Sequence, residues 1–295
     1  MTMIMQQLAN AVSLGSLYAL LAIGYTMVYG ILRLINFAHG DVFMLGAYFA
    51  FYALTAFMLP WYLAFPLAII LTILFGIILE RGAYRPLRSS PRISIMISAI
   101  GASFLIENVA VLAFGGIPKA FPNIPVFNHI LNLNGVSMSS VSIIIPFVTL
   151  FVLIVLFYII TKTKTGMAMR AVSKDYEAAK LMGIDVNTII TFTFGIGSGL
   201  AAIGAIMWGM KYPQLIPLMG LMPGLKCFIA AVIGGIGDVR GAVIGGFILG
   251  FGEIMIVAAS PALSGYRDAF AFIVLILILL FKPSGVMGKS VIEKV

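Results

Sequence analysis

Residues Val141 to Ile160 read Val-Ser-Ile-Ile-Ile-Pro-Phe-Val-Thr-Leu-Phe-Val-Leu-Ile-Val-Leu-Phe-Tyr-Ile-Ile, without one charged side chain, and the run ends against Thr161-Lys162-Thr163-Lys164. A helix of about 20 residues rises about 30 Å, the thickness of a bilayer's hydrocarbon core. A barrel strand needs only about 10 residues and alternates apolar with polar positions, and this run does neither. Backbone groups in lipid have no water to bond, so a long apolar run satisfies them internally as helix. This stretch therefore predicts a membrane-crossing helix whose basic end stays in water.

The pattern recurs along the chain. Apolar runs fall at about 8–32, 42–59, 61–79, 93–113, 141–160, 187–209, 225–237, 241–258 and 268–281. They predict an all-α, polytopic inner-membrane helical bundle of about 8–9 transmembrane segments, some broken or short, forming one domain over 1–295. The Pro60-Trp61 break makes 42–79 a helical hairpin. The run 225–237 is only about 20 Å long as helix, so a broken or steeply inclined element is expected. Of the 295 residues, 62% are hydrophobic and 9% charged, and mean hydropathy is +1.13. Soluble domains carry about a quarter charged residues, which excludes a soluble enzyme, a disordered chain and a conventional nucleic-acid binder. No cleavable signal peptide is expected, because residues 1–7 lack a basic segment.

The net charge of +8 records topology. Arg81, Arg85, Arg88 and Arg92 follow the third run; Lys162, Lys164, Arg170, Lys174 and Lys180 follow the fifth; Lys282, Lys289 and Lys294 form the tail. Basic residues gather in cytoplasmic loops. With Arg33 and Arg240, 14 of the 18 basic residues then fall inside. The N-terminus is expected outside, the C-terminus inside, and 115–140 as an outer loop.

Few polar groups interrupt the runs. Asn36-Phe37-Ala38-His39-Gly40-Asp41 separates the first two, where Asp41 is expected to cap the next helix, and Asn36 and His39 are candidates for lining a path. Glu107 and Glu253 lie inside apolar runs; an acid at bilayer depth must face protein or water, as pathway group or structural partner. Eight glycines lie between Gly234 and Gly252. They fit close helix packing or a broken helix around Asp238-Val239-Arg240. Gly40-Asp41-Val42 and Gly237-Asp238-Val239 hint at two related halves; a parallel relation follows if neither is re-entrant, an inverted one otherwise. The single Cys227 and two distant histidines exclude a disulfide and a metal site. Gly288-Lys289-Ser290 resembles the end of a phosphate-binding loop, but the required earlier glycine is Pro283. No catalytic constellation is present, so neither enzyme activity nor a cofactor is expected.

The inner loop 161–186 carries the most information. Ser173 as N-cap, Asp175 in the first turn and Gly183 as a left-handed stop predict a short helix over 174–182 with Ala178, Leu181 and Met182 on one side. Such a helix could dock into a cytoplasmic partner or lie on lipid headgroups.

Glu177-Ala178-Ala179, with Gly183 four residues on, resembles the EAA motif of ABC importer permeases. Gly15-Ser16-Leu17-Tyr18-Ala19-Leu20, Gly24-Tyr25-Thr26-Met27-Val28-Tyr29-Gly30 and Ile35-Asn36-Phe37-Ala38-His39-Gly40-Asp41 resemble the N-terminal signature of LivH-type permeases of branched-chain amino acid importers. Tyr84-Arg85-Pro86, Ser98-Ala99-Ile100-Gly101, the run Ala230 to Gly237 and Pro283-Ser284-Gly285-Val286 fit the same family. The resemblance spans about 8–288, the loop 115–140 excepted. It implies a bacterial inner-membrane permease subunit for Leu, Ile and Val. Its partners would be a second related permease, two cytoplasmic ATPase subunits and a periplasmic amino-acid-binding protein, with membrane lipid around it and no nucleic acid. Glu177, Ala178, Ala179 and Gly183 would couple to the ATPase; Asn36, His39, Asp41, Asp238, Glu253 and Glu107 remain pathway or broken-helix candidates. A urea or amide importer shares these signatures. An ion-coupled transporter using Glu253 or Glu107 is the other alternative.

Overall fold

The computed structural model describes residues 2–133 and 136–288. Lys289, Ser290 and Lys294 of the tail lie outside the described residues. In chain order the helices are α1 (Thr2–Leu32), α2 (His39–Thr55), α3 (Trp61–Leu79), α4 (Arg92–Phe114), α5 (Ser140–Lys162), α6 (Lys164–Lys174), α7 (Tyr176–Leu181), α8 (Val186–Lys211), α9 (Leu221–Gly234), α10 (Val239–Ala259) and α11 (Arg267–Phe281). Each of the nine apolar runs is a helix; α6 and α7 are additional. Seven helical stretches are long and apolar enough to cross a membrane, while α2 has 17 residues and α9 only 14. The chain is a multi-pass membrane protein.

One face of the bundle carries the start of α1 and the segment 115–139. There β1 (Lys119–Ala120) pairs with β4 (Gln214–Leu215), and β2 (Ile130–Leu133) with β3 (Val136–Ser139), all antiparallel. The Gln6 amide donates to the Ser137 carbonyl at 3.0 Å. The opposite, basic face carries 33–34, 80–91, 163–185, 235–238 and 282–288. There the Arg33 guanidinium donates to the carbonyls of Ser173 and Lys174 at 3.4 Å.

The core is built around α1, which is apolar on every side and buried along nearly its whole length, as an all-round apolar helix must be. α4, α5 and α11 form the periphery and expose Phe104, Leu112, Phe147, Phe151, Ile276 and Leu280. Lipid is no better a solvent for these side chains than protein, so interior contacts rely on close backbone approach at small residues. α10 crosses α1 with Gly250 against the backbone of Gly15 and Gly246 against Ala19. α9 and α10 form a hairpin with Gly234 on Gly241 and Gly245 on the Ala230 carbonyl. Gly235 (φ 108°) and Gly237 (φ 95°) make the turn. The glycine cluster thus both packs a helix pair and breaks it.

The two halves are inverted. Gly24 meets Gly197, and Leu21 meets Gly204, so α1 and α8 run antiparallel. α2 packs on α3 and α8; α9 packs on α10 and α1, the same scheme with the sense reversed. Of the two relations that the Gly-Asp-Val tripeptides left open, the inverted one is found, and the tripeptides themselves are not equivalent positions. Asp238 is a partly exposed cap on the basic face, accepting from the amides of Arg240 at 2.8 Å and Gly241 at 3.3 Å. Gly40 instead lies against Gly220 and Gly224. α2 and α9 therefore begin face to face inside the bundle and run to opposite faces. His39 packs against Gly24, about 12 Å of helix inward from the end of α1.

A side chain at Gly245 would strike the Ala230 carbonyl, whereas one at Gly101 meets nothing within 4 Å. Gly245→Val is expected to lower stability by about 1–3 kcal/mol or more, and Gly101→Ala to be neutral or mildly stabilising. Thermal unfolding of the detergent-purified protein checks this; equal midpoints for the two variants would contradict the packing.

Candidate functional site

The junction of α2 and α9 collects the polar interruptions. The backbone turns into α2 at Asn36, whose carbonyl accepts from His39 N at 3.2 Å, while the Ala38 carbonyl accepts from Asp41 N and Val42 N at 3.1 and 3.0 Å. The helix therefore starts at His39 and Ala38 occupies the cap position, with no side-chain cap bond. Asp41 is not the cap that its position suggested. It is the third helical residue, buried, and its Oδ2 accepts from Ser103 Oγ of α4 at 2.5 Å. An acid in the first turn still complements the helix dipole.

Asn36 is also buried, and its Oδ1 accepts from the Tyr84 hydroxyl at 2.6 Å. His39 stands edge-on to Tyr25, ring centroids 5.9 Å apart. Glu107 follows Ser103 by four residues on α4, one turn along the same helix face. It is 8% exposed, and its carboxylate meets no hydrogen-bond donor among the described residues. Tyr25, Asn36, Asp41, Ser103 and Glu107 line one cavity of about 150 Å³. Three segments far apart in sequence thus converge on it. Ser103 was not singled out in the sequence, although its four-residue spacing from Glu107 was an available signal; Tyr25, Tyr84 and Gly220 gave none, because each sits in an ordinary apolar or glycine context.

Glu253 is not at this junction. Its carboxylate pairs with Lys226 Nζ at 2.9 Å and accepts from the Tyr18 hydroxyl at 3.0 Å, and Lys226 also pairs with Asp268 at 2.8 Å. This cluster ties α1, α9, α10 and α11 together, which fits the structural reading of Glu253. The available signal was Lys226 itself, a cation in an apolar run that needs an acid nearby.

On the basic face a second buried acid was missed. Glu80 opens a π-helical turn, Glu80–Tyr84, and has no exposed surface. It accepts from Arg88 and, at 2.7 Å, from Thr191 Oγ1. Arg88 also donates to Asn187 Oδ1 at 2.7 Å. α3, α8 and the loop between α3 and α4 are thereby clamped beside the short helices.

Those short helices differ from the expected 174–182. α6 is capped by Thr163 and runs through Ser173, whose hydroxyl donates to the Arg170 carbonyl. Asp175 is extended (φ −152°, ψ 116°) and separates it from α7. Asp175 is the cap of α7, accepting from the amides of Glu177 and Ala178 at 2.9 and 3.0 Å. Gly183 ends the unit in the left-handed region at φ 80°, as read from the sequence. Ala179 is buried and the Tyr176 hydroxyl donates to the Ile31 carbonyl at the end of α1. Glu177, Ala178, Leu181 and Met182 face outward, Leu181 being 87% exposed. Asp185 caps α8 through the Asn187 and Thr188 amides. The Thr188 hydroxyl holds the Asp185 carboxyl below its ordinary value. That cap is therefore complete at neutral pH and is lost only as acidification passes below the ordinary carboxylate range. A cavity of about 740 Å³, with Arg33, Arg88, Glu177 and Lys180 on its walls, lies beside α7.

Inverted halves with half-length helices meeting at a polar junction, and a short exposed helix latched to the bundle's end, describe a membrane permease domain. The chain belongs to the family described as "Branched-chain amino acid transport system / permease component", whose family model matches residues 7–279. It is 44% identical to the high-affinity branched-chain amino acid transport system permease protein BraD of Pseudomonas aeruginosa, over 99% of this chain and 98% of that one. It is 40% identical to the LivH permease of the corresponding Escherichia coli K12 system, over 99% and 97%. Among solved structures, PsaBC from Streptococcus pneumoniae in complex with Fab shares the fold, at TM-score 0.53 and 13% identity over 94% of this chain and 92% of that one.

Removing the cation from the Lys226 cluster should leave Glu253 buried and unpaired. Lys226→Met is expected to cost about 3–5 kcal/mol, and the double variant Lys226→Met with Glu253→Gln less than the sum of the two single changes. Denaturant unfolding of the four proteins in detergent measures this cycle; strict additivity would mean the pair does not interact.

Proposed function

We propose that this chain is the membrane-spanning permease subunit of an ATP-driven importer that moves Leu, Ile and Val across a bacterial inner membrane. The observation carrying this reading is the 40–44% identity over nearly the full chain to permeases of branched-chain amino acid transport systems. The substrates would arrive on a periplasmic binding protein, and ATP would be hydrolysed by two cytoplasmic subunits. A second related permease would complete the membrane pore, and this chain would bind no cofactor. The basic residues on the face of α6 and α7 support a cytoplasmic side there, with the N-terminus outside and the C-terminus inside.

α7 is suited to transmitting force. Asp175 and Gly183 fix its two ends, so it moves as a unit. Its outward Glu177, Ala178, Leu181 and Met182 offer an apolar patch with one acid to an ATPase groove. Its inward contacts lead to the junction: Tyr176 holds Ile31, and Arg33 holds the backbone of Ser173 and Lys174. Three residues after Arg33 the chain reaches buried Asn36 and then the start of α2. A displacement of α7 therefore acts on the α1–α2 connection and on the cavity walls.

Glu177→Lys and Gly183→Pro should each abolish leucine uptake by the assembled transporter while the chain still inserts in the membrane; proline cannot adopt the positive φ at position 183. Asp175→Ala should weaken uptake less, since losing a cap costs about 1 kcal/mol. Radiolabelled leucine uptake with membrane-fraction blotting checks all three. Normal uptake by both of the first two variants would contradict the coupling role, and ion-driven uptake by this chain alone in vesicles would contradict the ATP-driven one.

A further inference from the structure

Building on the importer reading, we infer that the cavity between the starts of α2 and α9 is a transit site for a neutral branched aliphatic amino acid. Its ammonium meets Asp41 and Glu107, and its carboxylate faces the amino ends of α2 and α9.

Glu107 is the independent sign of a missing partner. The residue is 8% exposed and lines the cavity, and its carboxylate accepts no hydrogen bond among the described residues. An acid in a largely apolar surround with neither donor nor cation beside it is unfavourable and draws a cationic partner. Asp41 lines the same wall, with Ser103 occupying one of its oxygens. Tyr25 lines the same cavity, and its hydroxyl is buried and without a partner among the described residues. A ligand that supplies a cation to the acids and an acceptor to the tyrosine answers both.

The anion has its own seat. Gly40, Gly220 and Gly224 line the cavity where the starts of α2 and α9 pack on each other, so no side chain screens the two helix ends from it. Each helix start carries roughly half a positive charge, and two starts facing one space favour a carboxylate. A zwitterion brings both charges together, so occupancy leaves the net charge of the site unchanged.

The remaining wall is apolar. Ile100, Leu225 and Phe228 contribute hydrocarbon and no polar atom. A cavity of about 150 Å³ takes a benzene-sized group, so it admits only a compact ligand, of the size of a small branched amino acid. A charged or hydrogen-bonding side chain would be left unpaired against that wall and is selected against.

The test uses the assembled transporter with its binding protein and ATP, and photo-leucine, the diazirine analogue of leucine, as probe. Irradiation during turnover should place adducts on peptides from α4 around 100–107 and from α9 around 221–228. Excess isoleucine should displace them; 4-methylpentanoate, which lacks the ammonium, should not. Glu107→Gln and Asp41→Asn should each lower adduct yield and leucine uptake at least tenfold in complexes that still copurify intact. Glu107 makes no protein hydrogen bond, so its variant keeps the test valid should Asp41→Asn fail to fold. Adducts confined to other segments, or unchanged in both variants while the wild type takes up leucine, would overturn the site and leave the importer reading standing. Absence of leucine uptake by the wild-type complex would overturn the importer reading itself, and this ligand assignment with it.

Discussion

At Gly40 the backbone of α2 lies against the backbone of Gly220 and Gly224, with no side chain between them. Two helices can begin inside a bilayer only where their free amide groups are shielded from lipid and supplied with partners. The buried positions of α1, α8 and α10 provide that shield. The contact sets the rest of the design: it makes α2 and α9 too short to span, inverts one half against the other, and leaves a small polar space at the bundle's centre.

The polar groups of the interior divide by how they are satisfied. Glu253 and Glu80 each find a cation and a hydroxyl, and they hold helices together: Lys226 with Tyr18 in one case, Arg88 with Thr191 in the other. Asp41 is half satisfied by Ser103. Glu107 accepts no hydrogen bond among the described residues, the buried Tyr25 hydroxyl has no partner there, and both residues line the central space.

The basic face is organised for stiffness. Thr163, Asp175 and Asp185 cap three successive helices, α6, α7 and α8. Gly183 closes α7, and Tyr176 and Arg33 fasten that unit to the end of α1. The Arg88 clamp joins the end of α3 to the start of α8 nearby. These contacts tie α7 to the end of α1, from which the non-helical segment 33–38 leads to α2.

Sequence alone determined the fold class, the nine apolar helices and the face on which basic charge gathers, because length and hydropathy govern what a bilayer admits. It also located the αL stop at Gly183 and the short helix before it, since caps and stops are local chemistry. It misplaced the cap from Asp175 to Ser173, because both are good caps and only the extended backbone at Asp175 breaks the helix. It read Asp41 as a cap because capping is a local rule, while the partner that claims Asp41 is Ser103, 62 residues away. Whether the halves were parallel or inverted, which acid was paired and which was open, and that Asn36, Asp41 and Glu107 share one cavity were decided by tertiary structure. Those outcomes depend on helix crossings made at glycines, and an apolar pattern shows that a helix is buried without showing what it is buried against.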